Sequence, residues 1–244
     1  PRVQLLVRHP GERFVLRSED EWPLARTLWT DFYLDPEGMR LAGTPAAAGS
    51  VTYDMMGDGV TFSTEPLTVE TEICGPVALK LFLSSSTADA DVFAVLRVFD
   101  PSGTEVVFQG ALDPHTPIGQ GWLRASQRKL DPARSLPYRP YHTHDEKQPL
   151  TPGEVYELDV EIWPTGIVIP PGHRIALTVR GKDYEHPGAA ATLSNMKNPM
   201  KGCGPFIHDD ETDRPPELFG GRVTLHCGPD RPARLLLPVI PPKR

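Results

Sequence analysis

Several common features are scarce or missing in this sequence, and each gap narrows the range of possible functions. No apolar run comes near the roughly 18 to 20 residues that a membrane-spanning helix requires, and no signal peptide opens the chain. No run of about twelve residues shows helical periodicity. The formal net charge is −7, and the lysines and arginines are scattered instead of forming a basic stripe. These gaps argue against a membrane partner, a nucleic-acid partner and a helical fold.

Cysteine is rare as well, with only three in 244 residues. Cys74, Cys203 and Cys227 are odd in number and lack CxxC spacing, which argues against a disulfide framework and against a thiolate metal site. Three reduced thiols are typical of a cytoplasmic protein, and this is the location we predict. The sequence begins with Pro1 and not with methionine, which leads us to expect a piece of a longer protein.

The clearest positive signal is an alternation of apolar and polar residues between residues 156 and 180. The apolar members of this pattern are Tyr156, Leu158, Val160 and Ile162 in a first segment and Ile175, Leu177 and Val179 in a second. A period of two places one set of side chains on a buried face and the other in water, as in a half-buried strand. The prolines and glycines of residues 164–172 predict an irregular loop between the two strands. Together with 28 prolines in the chain, the pattern predicts an all-β sandwich with long irregular loops.

A second alternating segment covers residues 77–84. One face carries Val77, Leu79, Leu81 and Leu83, and the other carries Ala78, Lys80, Phe82 and Ser84. Phe82 is the one large apolar side chain on the face expected to be wet, so it needs a partner. Elsewhere, residues 36–59 contain few large apolar residues, which predicts a long surface loop. Residues 182–221 show little periodicity, which predicts a functional loop or a segment that packs on a neighbour.

We predict no catalytic residue in this sequence. A serine hydrolase of the α/β type needs a GxSxG elbow between a strand and a helix, and the sequence has none. Phosphate-binding and dinucleotide-binding glycine loops are also missing, and we predict no cofactor. The serines at 84–86 follow a strand, where turn chemistry is a better interpretation than a nucleophile. His173 lies in a Pro-Pro-Gly-His turn, where a structural role is favoured over catalysis.

Two clusters have side chains that bind metals in other proteins. His142 and His144 share one side of an extended segment, but no third ligand can be identified, so a surface loop is favoured over a metal site. Asp209, Asp210 and Asp213 belong to the acidic run HDDETD and are weak candidates for Ca²⁺ ligands. Their spacing differs from that of an EF-hand loop, so we favour a solvated acidic turn and predict no metal.

Three alternatives for function follow from these residues. Four tryptophans are available for a sugar-stacking platform, which would make the chain a carbohydrate-binding module. Residues 182–221 could pack on a second subunit. The chain would then be a structural or dimerising domain that forms a homodimer. The third alternative depends on the order of four sequence segments, which are GPVALKLFLSSSTADADVFAVLRVFDPSG, GWLRAS, PLTPGEVYELDVEIWPTGIVIPPGHRIALTV and ARLLLPVIPPKR.

In this order the four segments resemble the C-terminal domain of the X-Pro dipeptidyl-peptidase and cocaine esterase (CocE/NonD) group of serine hydrolases. The resemblance covers residues 65–244, and residues 1–64 look like a lead-in segment with the first strands of the same body. It implies a jelly-roll sandwich of the galactose-binding type that follows an α/β-hydrolase domain carrying the Ser-Asp-His triad. Members of the group hydrolyse X-Pro peptides, esters or amides.

The resemblance also implies a role for two residues of the 77–84 segment. In the cocaine esterase branch, the strand that matches Leu79 to Ser84 contributes apolar side chains to the acyl pocket, and the matching positions are Leu81 and Phe82. We therefore expect a non-catalytic domain that covers and shapes the substrate cleft of a serine hydrolase. Its expected partners are the catalytic domain of the same polypeptide and a small peptide, ester or amide substrate.

Overall fold

The computed structural model describes residues 1–191, 193, 200–205 and 207–242. Within these residues the chain forms thirteen strands, one four-residue helix and one 3₁₀ turn at residues 125–127. The elements are β1 (Val3–His9), β2 (Arg13–Glu19), β3 (Leu28–Asp35), β4 (Arg40–Ala42), β5 (Gly49–Asp54), β6 (Val60–Ser63), β7 (Thr71–Ser85), β8 (Asp91–Phe99), β9 (Gly119–Arg124), β10 (Tyr156–Ile169), β11 (Arg174–Arg180), β12 (Arg222–Cys227), β13 (Arg234–Ile240) and α1 (Pro216–Phe219). No helix in the described part of the chain is long and apolar enough to cross a membrane.

The strands form one sheet that folds over into two packed layers. Neighbouring strands follow the order β2-β1-β10-β7-β13-β3-β4-β6-β11-β8-β9, while β12 pairs with both β7 and β5. The short strands β4 and β6 connect the layers, so that β7 and β10 face β8 and β11 across a common core. Leu79 and Val160 from the first layer and Leu96 and Leu177 from the second are fully buried in that core. The predicted all-β sandwich is confirmed.

The two longest strands, β7 and β10, form the centre of the first layer and pair antiparallel over most of their length. The predicted loop at residues 164–172 is wrong for residues 164–169, because β10 continues through Pro164 to Ile169. The register of the β10–β7 pair shifts between Ile162 and Thr165. An irregularity of this kind tolerates a proline, which has no N–H to donate to the neighbouring strand.

The predicted surface loop at residues 36–59 is also wrong, because β4 and β5 lie within it. β5 pairs with β12 over its whole length, from Asp54 opposite Arg222 to Gly49 opposite Cys227. Few residues in this segment are large and apolar, but Tyr53 is buried where β5 ends. Strand formation here depends on a partner from the far end of the chain, which a local composition signal does not contain.

The first 64 residues contribute six strands to the same sheet as the rest of the chain. β1 pairs with β10, β3 with β13, β5 with β12 and β6 with β11. Leu34, Tyr53 and Phe62 from this part belong to the common core. A division at residues 64 and 65 stays a prediction.

Residues 182–221 contain α1 as their one regular element among the described residues, and residues 192, 194–199 and 206 of this predicted loop lie outside those described. Arg214 is 3% exposed and ties the segment to the sandwich. Its Nε donates to Asp91 Oδ2 at 2.9 Å, and its Nη1 donates to the backbone oxygen of His208 at 2.8 Å. The buried arginine therefore fixes the described end of the segment against β8. A functional role of this loop, or its packing on a neighbour, stays a prediction.

Candidate functional site

Leu81 and Phe82 are neighbours on β7 and point to opposite faces of the sheet, as successive residues of a strand do. Leu81 is fully buried in the core between the layers. Phe82 is half-buried on the outer face, opposite Glu157 of β10, and its ring packs against residues of the buried cluster. Of the two, Phe82 presents its side chain to the outer surface. Lining of a substrate cleft by either residue stays a prediction.

Phe82 lies at the point where β7 changes neighbours. On the side away from β10, β7 pairs with β13 as far as Lys80 and with β12 from Leu83 onwards. The turn at 228–231 connects β12 to β13 and separates them there. Phe82 is therefore flanked by a paired strand on one side only within the described residues. A break in the sheet is a place where another polypeptide segment or a ligand can approach the strand.

The outer face next to Phe82 carries a compact group of charges. Lys80, two residues earlier on the same face, contacts both Glu157 and Asp159 of β10, with Nζ 3.0 Å from Asp159 Oδ2. Burial by itself lowers the pKa of Lys80, but hydrogen bonds to the two carboxylates outweigh this and raise the pKa above its ordinary value. Lys80 is therefore held as a cation, which makes it an anchor for the carboxylates and a poor nucleophile.

A cavity of about 640 Å³ opens on the outer face beside Lys80. The loop between β9 and β10 covers it, and Tyr138 of this loop stacks on Trp29 of β3 with ring centroids 4.3 Å apart and ring planes 5° from parallel. Asp31 and Arg234 contribute charged groups to its walls. Apolar walls with a few polar groups are characteristic of ligand pockets. Lys80, Phe82 and Ser84 lie on the outer face of β7, and we call them the outer strip. Lys80 also lines the cavity, so the cavity and Phe82 share one face of the sheet.

At the other end of this strip, the serine of β7 meets a histidine of β12. Ser84 Oγ lies 2.9 Å from His226 Nε2. Burial, and to a smaller extent Arg231, lowers the pKa of His226 below its ordinary value, so the ring is neutral at physiological pH. A Ser-His-acid triad also requires a carboxylate on the second ring nitrogen. No carboxylate among the described residues hydrogen-bonds to His226, so the pair lacks the third member of a triad.

The Ser84–His226 pair was not predicted from the sequence. The alternation of Val223, Leu225 and Cys227 with polar residues does indicate that His226 faces outwards. The missing information is the pairing of β12 with β7, which places Thr224 opposite Ser84. That pairing joins distant parts of the chain and has no local signal.

The histidine cluster lies on the loop between β9 and β10. The rings of His142 and His144 have centroids 5.9 Å apart. Asp145, the next residue after His144, accepts hydrogen bonds from Lys129 at 3.1 Å and from Thr143 at 2.5 Å. Across the described residues, no group of three or more His, Cys, Asp or Glu side chains is arranged to hold a metal ion.

Two of the three acidic candidates, Asp210 and Asp213, have partners within the protein. Asp213 pairs with Arg124 at 2.9 Å, and this arginine lowers the pKa of the Asp213 carboxyl. Asp210 Oδ1 accepts the backbone N–H of Thr212 at 2.8 Å and so stabilises the turn. Asp209 lies exposed in the same turn. Asp210 and Asp213 therefore stabilise the structure of the loop.

The four tryptophans do not form a single platform. Trp29 stacks on Tyr138 at the outer-face cavity, whereas Trp122 and Trp163 meet edge to face with centroids 5.2 Å apart. Trp22 lines a different concavity together with Trp163. Trp29 therefore lies apart from the other three, which does not favour one sugar-stacking site formed by all four.

The chain as a whole is similar to known proteins. The family model described as the X-Pro dipeptidyl-peptidase C-terminal non-catalytic domain matches residues 1–236. A Mycobacterium bovis protein named for serine esterase activity is 33% identical over 150 residues, which is 58% of this chain and 22% of that protein. Cocaine esterase of Rhodococcus sp. strain MB1 Bresler is 24% identical over 281 residues, which is 98% of this chain and 42% of the esterase.

Solved structures share the same architecture. A CocE/NonD family hydrolase from Staphylococcus aureus aligns with a TM-score of 0.84 and 24% identity, over 98% of this chain and 42% of the hydrolase. An aminopeptidase from a Thaumarchaeota archaeon aligns with a TM-score of 0.60 and 18% identity, over 93% of this chain and 39% of the aminopeptidase. At these identities the likeness supports the β-sandwich fold alone. The chain spans less than half the length of each of these proteins.

Proposed function

This chain belongs to the family of X-Pro dipeptidyl-peptidase C-terminal non-catalytic domains, and we propose that it forms one wall of the substrate cleft of a serine hydrolase. The catalytic serine, histidine and acid lie in an α/β-hydrolase domain of the same polypeptide. One observation carries the proposal: the family match extends over residues 1–236 of a chain that spans 22% and 42% of two esterases named above.

The outer face of β7 is the part of the chain that we assign to the cleft. Phe82 supplies a rigid apolar ring at the break between β12 and β13, where another domain can reach the strand. An apolar wall excludes water from the reacting groups and selects substrates by the shape of their acyl portion. Leu81 acts from beneath, because its buried side chain fixes the position of the strand that carries Phe82. The substrates we propose are peptides, esters or amides with an apolar acyl group.

The other two residues of the outer strip, Lys80 and Ser84, are held in place by contacts on either side of Phe82. Lys80 is tied to Glu157 and Asp159, and Ser84 is tied to His226, so the residues two before and two after Phe82 both hold cross-strand contacts. Positioning of this kind preserves the shape of a pocket wall without supplying a nucleophile.

Kinetics of the longer polypeptide test the proposal. The coding sequence upstream of Pro1 should contain a GxSxG elbow. In that longer enzyme, Phe82→Ala should lower kcat/KM about tenfold or more for p-nitrophenyl esters with bulky acyl groups, mainly by raising KM, and less for acetate esters. Val69→Ala is the matched control, since Val69 is 66% exposed on the loop before β7. Equal kcat/KM values for Phe82→Ala and the parent enzyme across the ester series would remove Phe82 from the cleft.

We also propose a cytoplasmic location for the longer enzyme. Cys74, Cys203 and Cys227 are all free thiols, and two of them are buried. Unpaired cysteines are usual where the compartment keeps thiols reduced. Fractionation of the source cells with an antibody against this chain tests the location, and recovery of the protein outside the cytoplasm would contradict it.

A further inference from the structure

The hairpin formed by β1 and β2 extends beyond the layer that should cover it. β2 is the outermost strand of the first layer, and β1 joins β10 through a single bridge between Arg8 and Ile167. Ile167 is fully buried in the common core. Residues paired across strands share a face, so the Arg8 side of the hairpin continues the core face of the sheet. Arg8 closes the end of the core by donating to the backbone oxygen of Ile118 at 2.8 Å.

Beyond Arg8 the core face of the hairpin is apolar and exposed. Leu6 and Leu16 are directly paired, and they are 60% and 63% exposed. Phe14 pairs with Arg8 on the same face and is 42% exposed, although its ring approaches Phe108 at a centroid distance of 6.0 Å. A core-type face with no layer over it is unusual for an isolated sandwich, because paired apolar side chains gain stability only when water is excluded.

A concavity of about 440 Å³ extends this surface from Leu6 to Trp163. Trp163 lies at the irregularity in β10 and is 64% exposed, and Trp22 lines the same concavity with an exposure of 39%. Tryptophan is enriched among the residues that contribute most of the binding energy of protein–protein interfaces. We call Leu6, Phe14, Leu16 and Trp163 the hairpin surface.

The outer edge of β2 is open as well. In the part of the chain that the structure describes, β2 pairs with β1 alone. An open edge beside exposed apolar side chains invites pairing with another chain and is normally covered in a stable protein. On the opposite face of β2, Arg17 forms a bidentate pair with Glu72, so the charged groups of the strand point away from the hairpin surface.

We infer that the hairpin surface docks against the catalytic domain of the same polypeptide. This inference rests on the proposed function and adds to it the surface that joins the two domains. The length of the relatives points to this occupant, because the named esterases have more than half of their residues outside the part that matches this chain. A domain of that size on the same polypeptide is always present in a one-to-one ratio with this chain. Its surface is large enough for a standard interface, which buries roughly 800 Å² per side. The apolar character of the hairpin surface matches the permanently buried centre of such an interface.

Cysteine labelling compares the surface with and without the catalytic domain. Leu16→Cys and Ser18→Cys are placed in a Cys203→Ser background of both the 244-residue chain and the longer polypeptide. Ser18 is exposed on the same face as Leu16, and its replacement removes no apolar contact. Val69→Cys is the control, with an exposure of 66% close to the 63% of Leu16. In the short chain all three should react with a maleimide at similar rates. In the longer polypeptide the two β2 positions should react at least tenfold more slowly, with Val69→Cys unchanged.

The outcomes separate this inference from the proposed function. If both β2 positions react equally fast in the two proteins while a GxSxG serine of the longer polypeptide is labelled by a fluorophosphonate, the docking surface is wrong and the proposed function stands. If the longer polypeptide has no such serine, the proposed function is wrong, and the docking inference that rests on it is wrong as well. If β2 is already protected in the short chain and sedimentation shows a dimer, a second copy covers the hairpin surface and the inference is overturned.

Discussion

Ser84 of β7 and His226 of β12 hydrogen-bond across the outer face of the sheet, with 2.9 Å between Oγ and Nε2. In hydrolases such a pair becomes catalytic when a carboxylate orients the imidazole and backbone N–H groups stabilise the oxyanion. None of the carboxylates in the described part of the chain reaches His226. The contact therefore joins β12 to β7 beside the break at Phe82, and its role in this domain is structural.

The stability of the domain should depend on the protonation of His226. Burial lowers the folded-state pKa of His226 below its ordinary value of 6.5, and Arg231 adds to the effect. The unfolded chain then binds more protons than the folded chain, so the stability from His226 is complete above about pH 7 and falls as the pH drops towards the folded-state pKa. His226→Gln should flatten the decrease in the free energy of unfolding between about pH 7 and pH 5, measured by urea denaturation.

Ser84→Ala is the companion variant for this titration, because it removes the hydrogen bond and keeps the imidazole. It should lower the stability by about 1 kcal/mol and retain a pH dependence. Parallel pH profiles for His226→Gln and the parent chain would exclude His226 as a source of the acid sensitivity.

Leu81 and Phe82 should respond differently to truncation although they are adjacent. Leu81→Ala leaves a cavity in the packed core and should lower the free energy of unfolding by about 2–5 kcal/mol. Phe82→Ala removes a half-buried ring from the outer face and should cost about 1–2 kcal/mol. Chemical denaturation of the two variants in the 244-residue chain measures both values. A larger loss for Phe82→Ala would show that its ring is a principal core residue and not a surface available to substrate.

Gly121 should be intolerant of any side chain, because β9 crosses close to β10 at this residue. A Cβ placed on Gly121 would lie 2.1 Å from the backbone oxygen of Glu161. Gly121→Ala should therefore push β9 away from β10 and destabilise the domain by about 1–3 kcal/mol or more. Gly43→Ala is the matched control, since a Cβ at Gly43 meets no atom within 4 Å. Thermal unfolding of both variants tests this, and equal midpoints would contradict the close approach of the two strands.

Alternation of apolar and polar residues predicts those strands that have one buried face and one face in water. Leu158, Val160 and Ile162 are buried and their carboxylate neighbours are not, so β10 can be identified from residues 156–162 alone. β8 is apolar on both faces and is covered on both, which again follows from its own residues. In such segments, adjacent residues point to opposite faces, so their polarity shows which face is in water and which is in the core.

Contacts between distant segments explain what the sequence does not predict. β5 forms because β12 pairs with it, and Pro164 is tolerated because the register of β10 and β7 shifts there. The Ser84–His226 contact joins residues 142 positions apart. The exposed hairpin surface is not predicted for the same reason: Leu6 and Leu16 look like core residues, and their exposure depends on which distant segments pack against the hairpin.

Fluorophosphonate labelling tests most directly whether the 244 residues act as a non-catalytic domain. The reagent, offered to the isolated chain and to the longer polypeptide, should leave the isolated chain unlabelled and should modify one GxSxG serine in the longer polypeptide. Stoichiometric labelling of a serine within the 244 residues, abolished by Ser84→Ala or His226→Gln, would instead show that the chain carries its own nucleophile.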